Sequence, residues 1–241
     1  MCHKPKSSSQ QNKEHKIIII GDSHARGSAS NVKRNLNDNN FRSSGFVRSG
    51  ANIDKLTSST TEDIKHLMNN DIIVFWGGTN DVSKNNSQDG LKHIVNFVKM
   101  NSNTNIILMS VPHRHDLSER SCVNSEVKAC NRESVKLMEP YKHVLVVKVN
   151  LDRKFFTRQG LHMNNLGKES IALKIANVVT NIFMKQADDP ISLYWKNEHD
   201  VSVSDSSNED NTTLQEDSKA APLATSNVEA SIDEAAQEEP I

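Results

Sequence analysis

Two kinds of apolar spacing alternate along this chain. Short apolar runs stand within residues 16–21, which hold four consecutive isoleucines, and within 71–76, 104–111 and 143–149. Runs this short, rich in β-branched residues and bounded by glycine, proline or polar positions, predict strands buried on both faces. A weaker strand is expected at about residues 44–48, ahead of a Ser49-Gly50-Ala51-Asn52 turn. Between the runs, apolar residues recur every three or four positions. Leu91, Ile94, Val95 and Val98 mark one side of a helix over 90–100, residues 124–138 form another ahead of Pro140, and Ile171, Leu173, Ile175, Ala176, Val179 and Ile182 fall largely on one side of a last one from 168 to 184. Residues 31–36 read as a short amphipathic piece, and 53–68, with Ile53, Leu56, Ile64, Leu67 and Met68, as a single helix. Strands alternating with helices at about 30 residues per unit predict an α/β fold, a five-stranded parallel sheet with helices on both faces.

Composition changes this picture at the ends. Residues 187–241 carry 14 Asp and Glu against 2 Lys, leaving 16 acids against 27 bases in residues 1–186. The overall charge of −1 therefore hides a basic body of +11 and an acidic tail of −12. Residues 186–241 hold too few large apolar side chains to offset the entropy of ordering them, and the polar residues 1–15 share that deficit. Both are expected to be disordered, which leaves residues 16–185 as one domain. No apolar run approaches the roughly 20 residues of a membrane span, and a secretory signal core is missing, so a cytoplasmic or nuclear location is expected. Cys2, Cys122 and Cys130 have neither disulfide-framework nor zinc spacing. His113 and His115 alternate in a loop and read as polar surface, so no metal site is expected.

A parallel sheet gathers the carboxyl ends of its strands on one edge, where ligands bind. Ser23 follows the first strand, Gly50 the second, Asn80 the third (in Gly77-Gly78-Thr79-Asn80-Asp81), and His162 lies in the loop after the fifth. Each is an ordinary turn residue taken alone. Together they make the set that acyl transfer needs: a hydroxyl nucleophile, a base, and donors for the oxyanion. Ser23 would attack and His162 would accept its proton. The backbone N–H groups of Ser23 and Gly50 and the Asn80 amide would hold the oxyanion. Asp81 reads as a structural acceptor and His24 as a loop residue.

The blocks Gly21-Asp22-Ser23, Gly50, Gly77-Gly78-Thr79-Asn80-Asp81 and Gly160-Leu161-His162-Met163-Asn164, with Gly167 after it, resemble those of the SGNH (GDSL) hydrolases over residues 16–185. The resemblance implies a flavodoxin-like three-layer α/β/α fold. It also implies esterase, lipase, thioesterase or deacetylase activity with no metal or organic cofactor, and does not fix the substrate. One position departs from the pattern. The family places an aspartate three residues before the histidine, and Gln159 stands there. Gln159 carries no charge to stabilise the imidazolium, although its carbonyl oxygen can accept from the ring N–H; an amide in place of a triad acid costs up to about 10⁴ in turnover. Asp152 is a substitute acid if its loop folds back.

Two functions follow. The first is a serine esterase-like hydrolase working through a Ser23–His162 dyad weakened by Gln159. The second is a catalytically impaired binding or accessory module on the same fold, whose basic body suits nucleic acid, as in the SGNH-like domains of some retrotransposon-derived proteins. Residues 79–90 and 112–123, including Lys84, His113, Arg114 and His115, are expected at the mouth of the site, which fits a short or anionic acyl group better than a long lipid chain.

Overall fold

The computed structural model describes residues 14–36 and 40–187. Cys2, the segment up to residue 13 and the acidic stretch from 188 onward, both expected to be disordered, lie outside the described residues. Five strands form one sheet: β1 (His15–Gly21), β2 (Phe41–Val47), β3 (Ile72–Trp76), β4 (Asn105–Met109) and β5 (Val144–Val147). They lie in the order β2-β1-β3-β4-β5, and every neighbouring pair is parallel. Among the described residues seven α-helices connect or flank them: α1 (Ser28–Asn35), α2 (Ile53–Ser58), α3 (Thr61–Ile64), α4 (Thr79–Ser83), α5 (Ser87–Met100), α6 (Cys122–Met138) and α7 (Asn165–Ala187).

The isoleucine run explains the layering. Successive side chains of a strand point to opposite faces. Ile17 and Ile19 therefore enter one core with Ile72, Val74, Trp76, Val32 of α1 and Ile171, Ile175 and Val179 of α7. Ile18 and Ile20 enter the other, with Ile73, Phe75, Leu56 of α2 and Ile94, Phe97 and Val98 of α5. Each fully buried side chain of this size is worth about 1.5–3 kcal/mol, so β1 anchors both layers at once. No helix among the described residues is long and apolar enough to cross a membrane.

Three elements differ from the pattern reading. The second strand begins at Phe41 rather than near 44, because its sequence Phe-Arg-Ser-Ser-Gly-Phe-Val is that of a half-exposed edge strand without an apolar run. The helix expected over 53–68 is broken into α2 and α3. Between Thr57 and Thr61 the hydroxyls of Thr57, Ser59, Thr60 and Thr61 bond back to carbonyls three and four residues earlier, competing with the helical ladder. The short α4 had no periodic signal.

The chain leaves β1 toward β2 on one side and crosses to β3 on the other. That reversal opens a crevice above the carboxyl ends of β1 and β3.

Candidate active site

Gly21 closes β1 against β3 so tightly that a Cβ there would sit 2.3 Å from the Trp76 carbonyl oxygen, and the Asp22 N–H donates to that same oxygen at 3.0 Å. The Asp22 carboxylate then accepts the His24 N–H at 2.9 Å, capping a single 3₁₀ turn over Ser23–Ala25. The turn presents Ser23 at its first position, at the mouth of the crevice. Burial pushes the Asp22 carboxyl up to about 6, offset by the His24 N–H and reinforced by the nearby Asp81.

The oxyanion candidates come from the next two strand ends. Gly50 turns the chain after β2 with φ 74°, a left-handed conformation that glycine adopts freely. Asn80 sits in the first turn of α4, and its amide donates one hydrogen to the Ala51 carbonyl at 2.9 Å. Its second amide hydrogen is free to meet a ligand, and the same group ties the Gly50 turn to α4. Neither the Ser23 nor the Gly50 N–H donates to another described residue. Asp81, just beneath, accepts the Ile53 N–H with both oxygens at 3.0 and 3.3 Å, the structural role expected of it.

His162 is carried by the loop between β5 and α7. Phe156 pairs with Met163 across this loop, the Thr157 N–H donates to the His162 carbonyl at 2.8 Å, and the Gly160 N–H donates to Thr157 at 2.9 Å. Gly160 has φ 86°, and a Cβ there would lie 2.6 Å from the His115 carbonyl carbon. The loop is thus docked on the backbone at His115 and Asp116. Asn164 fixes its far end by accepting the Gly167 N–H and donating to the Lys154 and Phe156 carbonyls.

A pocket of about 530 Å³ joins these pieces. Ser23, Gly50, Asn80 and His162 all line it. Ser23 and His162 are not hydrogen-bonded to each other; catalytic contacts of this kind are commonly long before substrate binds. Gln159 is exposed, is not among the lining residues and makes no hydrogen bond to His162. Asp152 is likewise exposed, 4.0 Å from Lys154, and lines a different cleft. Of the mouth residues expected from the sequence, Arg114 lines the pocket whereas Lys84, His113 and His115 do not. Cys122 and Cys130 are free thiols.

Among the lining residues that sequence reasoning did not assign to the site are His24, Arg26, Ser49 and Lys168. His24 is only 3% exposed, its ring lies 5.7 Å from that of His162 and 6.1 Å from that of Trp76, and neither ring nitrogen has a partner. Burial, with the positive fields of His162 and Arg114, pulls it down to about 4, so it is neutral at physiological pH. Arg114 is clamped by Asp116 through two bonds, at 2.8 and 2.6 Å, and reaches the Ser83 hydroxyl at 2.8 Å. The Arg114 guanidinium holds the Asp116 carboxyl below its ordinary range, with a smaller contribution from His162. The signal for these residues was spatial, since nothing in their local sequence separates them from other turn residues.

The architecture and the crevice define a flavodoxin-like three-layer α/β/α protein. No protein-family model and no curated protein matches the chain. Solved structures do. The chain is similar to a member of the lipolytic protein G-D-S-L family from Veillonella parvula, with a TM-score of 0.58 and 17% identity over 69% of this chain and 98% of that one. It is similar to a GDSL-like lipase from Bacteroides thetaiotaomicron, with a TM-score of 0.57 and 16% identity over 69% and 88%. A carbohydrate esterase family 3 structure from Talaromyces cellulolyticus gives 0.56 and 15% over 71% and 99%. The fold is that of the SGNH (GDSL) hydrolases.

Proposed function

We propose that this domain is a serine hydrolase of small carboxylic esters. The observation that carries the reading is convergence: Ser23, Gly50, Asn80 and His162, from four separate segments, line one pocket at the carboxyl edge of the sheet. The Ser23 Oγ attacks the ester carbonyl carbon while its proton passes to a ring nitrogen of His162. The carbonyl oxygen becomes an oxyanion held by the Ser23 and Gly50 N–H groups and the free amide hydrogen of Asn80, donors worth about 10²–10³ in rate each. Collapse expels the alcohol, which takes the proton from His162, and water repeats the sequence to release the acid.

The pair works as a dyad in this proposal. Gln159, in the place of the family's acid, adds no negative charge beside the imidazolium, and turnover is correspondingly slower than in a full triad. Purified protein should hydrolyse 4-nitrophenyl acetate and be labelled at Ser23 by a fluorophosphonate, both abolished in Ser23→Ala. An unlabelled serine and an unchanged rate in that variant would refute the reading. The alternative of an impaired binding module predicts no labelling together with salt-dependent retention of single-stranded RNA.

A further inference from the structure

The pocket is electrically one-sided. Among the described residues lining it are Arg26, Arg114 and Lys168, and neither an aspartate nor a glutamate. Arg114 is neutralised from behind by Asp116, which does not itself reach the lining. Arg26 and Lys168 have no ion pair among the described residues. Arg26 donates only to the Ser49 hydroxyl, at 2.5 Å, and so stands between the Ser23 turn and the Gly50 turn. Lys168 lies in the first turn of α7, at the positive end of the helix dipole. The polar residues Ser49, Thr79 and Thr157 supply further hydrogen-bonding groups, and His24 brings an uncharged imidazole whose two nitrogens lack partners. A lipid chain finds little to bury against here, since Leu161 and Met163 are the only large apolar side chains among the lining residues.

We infer that the substrate is an anionic ester, a small molecule bearing a carboxylate or phosphate besides the scissile bond, whose charge is received by Arg26 and Lys168. This rests on the hydrolase reading and narrows it. Two unpaired cations flanking a partly enclosed site attract an anion more strongly than bulk water screens it, and the attraction weakens with salt.

Three aryl esters separate the possibilities: neutral 4-nitrophenyl acetate, 4-nitrophenyl hemisuccinate with its charge on the acyl side, and 4-acetoxybenzoate with its charge on the leaving group. At least one charged ester should exceed the neutral one in kcat/KM by about tenfold or more after correction for uncatalysed reactivity, and 0.5 M NaCl should remove most of that advantage. Lys168→Gln and Arg26→Gln should each lower the charged-to-neutral ratio severalfold. A ratio that neither variant moves, or no advantage for either charged ester, overturns the inference and leaves the hydrolase reading standing. A second arm needs no turnover. Inorganic phosphate should shift the imidazole proton resonances of Ser23→Ala protein, and Lys168→Gln should weaken that binding. Phosphate binding without hydrolysis of any ester sinks the hydrolase reading and keeps the anion site, whereas no phosphate binding counts against the site itself.

Discussion

Asp22→Asn should make this protein more stable at neutral pH and change how its stability responds to acid. Asp22 is 1% exposed, one carboxylate oxygen accepts the His24 N–H, and the other makes no well-formed hydrogen bond, although the Thr79 N–H and hydroxyl lie close enough to ease its charge slightly. Its carboxyl is pushed from 3.8 to about 6, so the fold favours the neutral form. Stability from this group is fully present below pH 3.8 and is lost as pH rises through about 6. At pH 7.5 the loss amounts to about 3 kcal/mol at 1.36 kcal/mol per pH unit. Asparagine keeps the acceptor for His24 and removes the charge. His24 behaves in the opposite sense: pulled from 6.5 to about 4, it contributes stability above pH 6.5 that is lost as pH falls through about 4. The two slopes oppose each other in the wild type and flatten its profile. Urea unfolding at pH 7.5, 5.5 and 4 should show Asp22→Asn more stable by up to about 3 kcal/mol at the highest pH, with the gap closing toward the lowest. The variant alone should then weaken steeply in acid, from the His24 slope. A variant no more stable than wild type at pH 7.5, or a gap that does not close by pH 4, refutes the assignment of a buried charge to this carboxylate.

Gln159→Asp should leave kcat/KM for an aryl ester about unchanged in steady-state hydrolysis, because residue 159 is exposed, does not line the pocket and makes no hydrogen bond to His162; a tenfold rise would show that the loop can bring this side chain against the imidazolium. Gly160→Ala sets a Cβ 2.6 Å from the His115 carbonyl carbon at a positive φ, and should displace the base loop, with a loss of about 2–4 kcal/mol in denaturant unfolding and a more than tenfold fall in kcat. Asn124, fully buried, accepts the Arg114 N–H and donates to the Arg114 and Ser118 carbonyls. Asn124→Ala should cost about 2–4 kcal/mol and loosen Arg114 in the pocket, measurable by unfolding together with hydrogen exchange of the 113–118 backbone.

The parts of the fold legible in the sequence were those where one physical signal dominated. The isoleucines of β1 and the apolar runs of β3 and β4 admit only doubly buried strands, and the α5 periodicity places its buried face correctly. The polar β2 gave no such signal because an edge strand needs only one partner. The break between α2 and α3 depends on several hydroxyls acting together, which residue-by-residue propensity does not capture. In the site, the strand-end rule located Ser23, Gly50, Asn80 and His162 because chain position alone fixes which rim they occupy. Arg26 and Lys168 were not legible, since their place depends on how a 3₁₀ turn and a helix start approach each other across the crevice. His24 was misread as a loop residue because adjacency to the nucleophile does not reveal that the imidazole turns inward over Trp76.

In the proposed dyad the serine emerges at the close of the first strand, and the imidazole comes only in the final loop, held there by Gly160 against residues 115–116 and by Asn164 at the threshold of α7. During synthesis the serine must therefore wait, inert, for most of the domain to be made. A nascent or proteolytic fragment lacking residues 162–187 would keep the Ser23 hydroxyl without the His162 imidazole.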